Sequence, residues 1–176
     1  AGSGRDKNVV LTRDDCGIVH VSIDGHRDTG ELAHHVDQLR RKYLVQNRRI
    51  IVDAAGVGKG VWDQLKARGI RTEQYKGGHS PRDKRRFKNR RSEAYWMIRE
   101  AINPKSPRPF AFNNLEADSR KLLRADLLAH RYELEGERLI KISTKEDVLD
   151  RLKRSPDVSD ALAMTFSPSR AGRLIP

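Results

Sequence analysis

Arg154-Ser155-Pro156-Asp157-Val158-Ser159-Asp160-Ala161-Leu162-Ala163-Met164-Thr165-Phe166 is the stretch on which the reading of this chain turns. Ser155 is suited to cap a helix, and Pro156 to its first position, where a missing N–H is no loss. A helix begun there carries Val158, Ala161, Leu162 and Thr165 on one face, the spacing of a stripe that seeks a core. Asp157 and Asp160, three positions apart, then share another face over the first turn. Two adjacent carboxylates repel unless something positive lies between them. A divalent cation meets that need, because hard oxygen ligands suit magnesium or manganese. The same acids also complement the positive end of a helix dipole with no metal at all. On this segment alone both readings stand.

A second acid lies far upstream. Arg49-Ile50-Ile51-Val52-Asp53 is a short apolar run ending in a carboxylate, as a buried parallel strand would be. A glycine-rich turn follows over 54–60, then a short helix over 61–68 closed by Gly69, then a strand over 70–75. Strand, helix, strand in that order predicts a βαβ unit and an α/β layered domain. Taken alone, Asp53 reads first as a solvated strand end or a cap for the next helix. It also occupies the strand end where α/β sheets set their sites. With Asp157 and Asp160 it makes three acids from distant segments able to converge on a metal. Ala55-Gly56-Val57-Gly58-Lys59-Gly60 is not a phosphate loop: Gly60 takes the hydroxyl position, and Asp53 stands where the first glycine belongs.

The remaining segments fit around these. Residues 9–12 and 18–23 form a hairpin across a turn at 14–17. Asp28 opens a helix with Leu32, Val36, Leu39 and Tyr43 along one stripe. A helix over 92–102 contains Tyr95 and Trp96, read as core residues, and 103–109 is a proline-rich loop. An amphipathic helix over 114–128, a hairpin of 132–134 with 139–142 and a helix over 145–153 lead to the acidic helix. One domain over 1–166 with a tail over 167–176 is the expected organisation.

Lys and Arg number 36 against 24 acids, a formal charge of +12. That excess favours a polyanionic partner, nucleic acid above all. Anionic membrane is the rival, but no apolar run approaches ~18 residues and no signal peptide is present. The single Cys16 has no partner for an internal disulfide, which is compatible with a reducing cytoplasm. Seven basic residues, Arg82, Lys84, Arg85, Arg86, Lys88, Arg90 and Arg91, fall within ten positions. Such runs are often mere solvated faces; the global charge tips this one towards phosphate contact. Phe87 within it pins the segment to the core.

Four ordered stretches carry a family resemblance: Ala1-Gly2-Ser3-Gly4-Arg5-Asp6-Lys7, Val52-Asp53-Ala54-Ala55-Gly56-Val57-Gly58, the segment from Arg86-Phe87-Lys88 to Ala94-Tyr95-Trp96, and Lys145-Glu146-Asp147 leading to Ser155-Pro156-Asp157-Val158-Ser159-Asp160. Together they resemble the C-terminal nuclease domain of the large terminase subunit of tailed bacteriophages and prophages. The resemblance implies a ribonuclease H-like α/β fold, a central mixed β-sheet flanked by helices. It implies a metal-dependent endonuclease that cuts concatemeric viral DNA during packaging in the host cytoplasm, not a secreted protein. Asp53 matches the family's second metal-binding acid and Asp160 its third, with Asp157 adjacent. The position of the first falls ahead of Ala1, and Asp6 lies in the loop that follows it, where it assists. Two Mg2+ or Mn2+ ions, about 3.5–4 Å apart, would be held by these acids. Lys145, in the family's Lys-Glu-Asp position, contacts DNA, orients the acids or lies on plain helix surface. Double-stranded DNA, the terminase ATPase domain, the small subunit and the portal are the implied partners. A resolvase- or transposase-type nuclease of the same fold, and a basic DNA-binding or docking module without chemistry, are the competing readings.

Overall fold

An antiparallel hairpin opens the structure. β1 (Asn8–Arg13) pairs with β2 (Ile18–Asp24), with Val9 opposite Ile23 and Leu11 opposite Val21. The turn between them is held by Asp14, whose carboxylate accepts the N–H groups of Cys16 and Gly17 at 2.8 Å each. Gly17 is required there, since a Cβ would lie 2.6 Å from the carbonyl oxygen of Ala111.

The computed structural model describes residues 7–25, 28–54, 58–112, 114–136 and 138–167. The expectations for the loop at 1–6, including Asp6, for 55–57 and for the tail beyond Ser167 lie outside them. The chain divides into two units, Ala1–Gly25 with Gly77–Pro176, and His26–Lys76. Each has its own core.

The unit His26–Lys76 contains α1 (Thr29–Lys42), β3 (Ile51–Asp53), α2 (Gly58–Ala67) and β4 (Glu73–Tyr75). Asp28 caps α1, accepting the Glu31 N–H at 2.8 Å. β3 and β4 run parallel across α2, the βαβ unit expected from the sequence. Ala33, Val61, Leu65 and Ile70 form the core, with Leu32 and Val36 packed against it. Gly69 leaves α2 at φ +75°, a left-handed conformation suited to glycine. β3 is less covered than its sequence suggests: Ile51 and Val52 are half-buried and Asp53 is exposed.

The other unit adds α3 (Arg90–Ala101), α4 (Ala117–Ala129), β5 (Tyr132–Glu135), β6 (Leu139–Ile142), α5 (Lys145–Leu152) and α6 (Asp157–Phe166). β5 and β6 form the expected hairpin. α6 lies at the centre of the core, with Val158, Ala161, Leu162, Ala163 and Phe166 all buried against Ile18, Tyr95, Ile98 and Leu123. Burying a leucine such as Leu162 is worth about 1.5–3 kcal/mol. Thr165, expected on the core face, is half-buried; its hydroxyl accepts from Arg13 Nε at 3.0 Å and so joins β1 to α6.

Two expectations are corrected. The central mixed sheet is absent among the described residues, which form three separate two-stranded ladders, supplemented by single bridges Gly17–Ala111 and Phe87–Ile140. Four of the six strands are only three or four residues long. Ser155 does not cap α6 either. Pro156 occupies the N-cap position and no N-cap side chain bonds to the first turn. No described helix is long and apolar enough to cross a membrane.

Candidate functional site

The first turn of α6 presents the two acids read from the sequence, and the structure surrounds them with donors. Asp160 is held through one oxygen: Tyr95 donates its hydroxyl to Oδ1 at 2.6 Å, and Arg91 Nη2 lies 3.4 Å from the same atom. Arg91 also donates to the Ser143 carbonyl and lies over the Tyr95 ring, 4.9 Å from its centroid. Asp157 Oδ2 accepts the backbone N–H of Lys7 at 2.8 Å. Both acids are half-buried, neither sealed nor fully solvated.

Beneath this turn lies a buried polar cluster. Tyr95 OH is 2.9 Å from Ser159 Oγ, and the His130 ring packs 4.0 Å from the Tyr95 ring, with Nε2 3.3 Å from Ser159 Oγ. Burial, reinforced by the Asp160 charge and only partly opposed by Arg91, raises the Tyr95 hydroxyl well above the usual phenol range. The hydroxyl therefore stays protonated and acts as a donor to Asp160. Burial also lowers His130 to a pKa of about 3, with the nearby charges of Arg91 and Arg151 adding to the effect. Asp126, on α4, is fully buried and accepts the Ser159 N–H at 3.2 Å.

Asp53 belongs to the other unit, at the exposed end of β3. Chain geometry there is tight. A Cβ on Gly58 would lie 1.7 Å from the Asp53 carbonyl oxygen, so only glycine lets α2 start where it does. Within neither unit do three or more described His, Cys, Asp or Glu side chains gather closely enough to hold a metal ion. What the unit containing α6 offers is carboxylate chemistry, and that suits a hard divalent cation. Every described hydrogen bond to Asp160 falls on Oδ1.

The basic run divides in two. Arg82, Lys84, Arg85, Arg86 and Lys88 are exposed, on a loop fixed by buried Glu93, which accepts the N–H groups of Arg82 at 2.7 Å and Asp83 at 3.0 Å. Phe87 is buried and anchors the loop, as expected. Arg90 is a correction: it is buried, with its guanidinium donating to Ser167 Oγ, and is withdrawn from any phosphate-contacting surface. Arg91 likewise turns inward, its side chain 16% exposed and directed at Asp160. The cause is α3, which starts inside the run: Asn89 caps it by accepting the Ser92 N–H at 2.9 Å. Lys145 is exposed as the first residue of α5, next to the Thr144–Asp147 capping box. Trp96, expected in the core, is half-buried and stands edge-on to Tyr132, with Arg99 4.5 Å from its ring.

Sequence reasoning took Tyr95 for core and passed over Asp126. For Tyr95 a signal existed, because a buried phenol needs a partner for its O–H. For Asp126 the signal was an acid sharing a helix face with Leu122 and Leu123.

No protein-family model matches the chain, and no curated protein matches it. Solved structures do. The nuclease domain of the large terminase subunit gp2 of bacterial virus Sf6 is similar over 96% of this chain and 85% of its own, at 19% identity and a TM-score of 0.78. A lysine-to-alanine variant of that domain with manganese matches at 18% identity and a TM-score of 0.77 over 94% of this chain and 85% of its own. The same variant with calcium matches at 19% identity and 0.78 over 94% and 84%. The fold of this chain is therefore that of a terminase nuclease domain, in mixed α/β form.

Proposed function

We propose that this chain is the nuclease domain of a phage or prophage terminase large subunit, a metal-dependent endonuclease that cuts concatemeric double-stranded DNA during genome packaging. The observation that carries the reading is a fold shared along 94–96% of the chain with a terminase nuclease domain. The acids of α6 supply the chemistry that such an activity needs. Asp160 and Asp157 would be ligands in this reading, with Asp53 the third and Asp6 an auxiliary. A bound divalent ion would lower the pKa of a water and neutralise charge growing on the scissile phosphate.

The chain's own residues then have distinct tasks. Tyr95 and Arg91 hold Asp160 by Oδ1, fixing the direction of its second oxygen. The exposed Arg82, Lys84, Arg85, Arg86 and Lys88, with Lys145, neutralise DNA phosphates. The ATPase domain, the small subunit and the portal are the partners of this reading, and the host cytoplasm its location.

Nicking of supercoiled plasmid tests it. With manganese or magnesium the wild-type chain should cut, and Asp53→Ala and Asp160→Ala should each lower the rate by about 100-fold or more. Cleavage intact in both variants would overturn the ligand assignment. Tight DNA binding without cleavage by the wild type would favour a binding module, for which the exposed basic loop is the supporting observation.

A further inference from the structure

α6 begins without a cap of its own. Its first-turn N–H groups are orphan donors, normally met by a Ser, Thr, Asp or Asn at the N-cap. Pro156 stands there and has no side-chain acceptor, while Ser155 Oγ is buried with no hydrogen-bond partner among the described residues. The Ser159 N–H is instead accepted by Asp126 Oδ2 at 3.2 Å, from a helix 33 residues earlier in the chain. Asp126 is 0% exposed. A carboxylate so placed is costly unless it is paired. Arg154 Nη1 supplies the charge 2.6 Å from Oδ1, and the same guanidinium donates to the Ser155 carbonyl at 3.0 Å. The Arg154 contact is an ion pair off the line of a hydrogen bond, since Oδ1 has no donor properly aligned on it among the described residues.

Asp126 and Arg154 thus fasten the segment that leads into α6 at both ends, 154–155 and 159. Between them lies Asp157, and immediately beyond lies Asp160. We infer that Asp126 is a positioning residue: it caps α6 from α4 and fixes the direction in which Asp157 and Asp160 present their carboxylates. The inference rests on the proposed role of those acids as metal ligands. Burial raises the Asp126 carboxyl above the ordinary range, Ser159 and Arg154 oppose that rise, and the charge of Asp157 adds to it.

Two variants of the whole chain separate a positioning role from plain packing. Asp126→Ala removes the acceptor and the charge; Asp126→Asn keeps an acceptor for the Ser159 N–H. Amide hydrogen exchange at Ser159 and manganese affinity by titration are the readouts. Asp126→Ala should speed Ser159 exchange about tenfold while β1 and β2 amides keep wild-type rates, and should weaken manganese binding about 10–100-fold. Asp126→Asn should restore Ser159 protection and most of the affinity. Unchanged Ser159 exchange in folded Asp126→Ala overturns the capping claim, and unchanged manganese affinity overturns the positioning claim. Should Asp126→Ala fail to fold, Asp126→Asn decides: protected Ser159 with near wild-type affinity supports the inference, and fast exchange sinks it. Absence of manganese binding by the wild type would remove the ligand reading and the positioning claim together, leaving Ser159 exchange to judge the cap alone.

Discussion

The hydroxyl of Tyr95 has one hydrogen to donate, and the Asp160 carboxylate accepts that hydrogen bond. A carboxylate can only accept, and the phenol stays protonated because burial and the Asp160 charge both oppose its ionisation. Tyr95→Phe removes that donor, and with it the 2.9 Å contact to Ser159 Oγ, while the ring keeps its place beside His130. We expect the manganese concentration for half-maximal nicking to rise about tenfold, on the scale of lost outer-shell contacts to a metal ligand. The melting temperature should fall only by the few degrees that one charge-assisted hydrogen bond is worth. An unchanged metal requirement would show that the contact is structural. His130 makes a different prediction. Its pKa falls from 6.5 to about 3 on folding. Below pH 6.5 the unfolded chain takes a proton that the native state refuses, so His130 contributes stability above pH 6.5 and loses it progressively towards pH 3. The fall in melting temperature between pH 7.5 and 5 should be shallower in His130→Gln than in the wild type. Parallel slopes would mean that His130 titrates normally.

At the scale of elements, what the sequence made legible is what neighbours in sequence decide. Asp28 before α1, Gly69 after α2, the two hairpins and the apolar stripe of α6 are each set within a few residues, and all were found. What escaped was supplied from a distance. α6 is capped from α4, so the Ser155-Pro156 signature pointed to a local cap that the fold does not use. The basic run, seven Lys and Arg in ten positions, is uniform in sequence, but the helix start at Asn89 turns Arg90 and Arg91 inward. Strand pairing is likewise non-local, and the single sheet expected from the strands resolves into separate ladders. The acids of α6 are legible as candidates; the residues that hold them are not, because the Tyr95 donor and the Asp126 acceptor meet α6 only in three dimensions. Gly58 offers an element-scale test. With the Asp53 carbonyl 1.7 Å from where a Cβ would sit, Gly58→Ala must displace backbone, not a flexible side chain. A loss of at least about 1–3 kcal/mol is expected, read as a lower urea midpoint. A wild-type midpoint would refute so tight an approach.

Across the whole molecule the governing quantity is the formal charge of +12. Five exposed basic residues share one loop, and in the proposed reading that loop is the surface that meets DNA. The exposed residues of that loop are Arg82, Lys84, Arg85, Arg86 and Lys88, but they are not equivalent. Arg86 lies 3.4 Å from Glu100 and Lys88 is paired with Glu135, so part of their charge is already answered within the protein. Arg85 donates only its backbone N–H, to Asp83 at 3.0 Å, among the described contacts. Each phosphate contact contributes a slope of about −0.9 to the logarithmic dependence of duplex binding on salt. Replacing Arg85 and Arg86 together by glutamate should therefore weaken binding at low salt and flatten that slope by roughly 1–2. The lower end applies if the Glu100 pair keeps Arg86 from the phosphates. Arg90→Gln should leave the slope unchanged, because its guanidinium is committed to Ser167 in the interior. If the double reversal leaves affinity and slope as they were, the DNA surface lies elsewhere on the chain and the loop is only a solvated face.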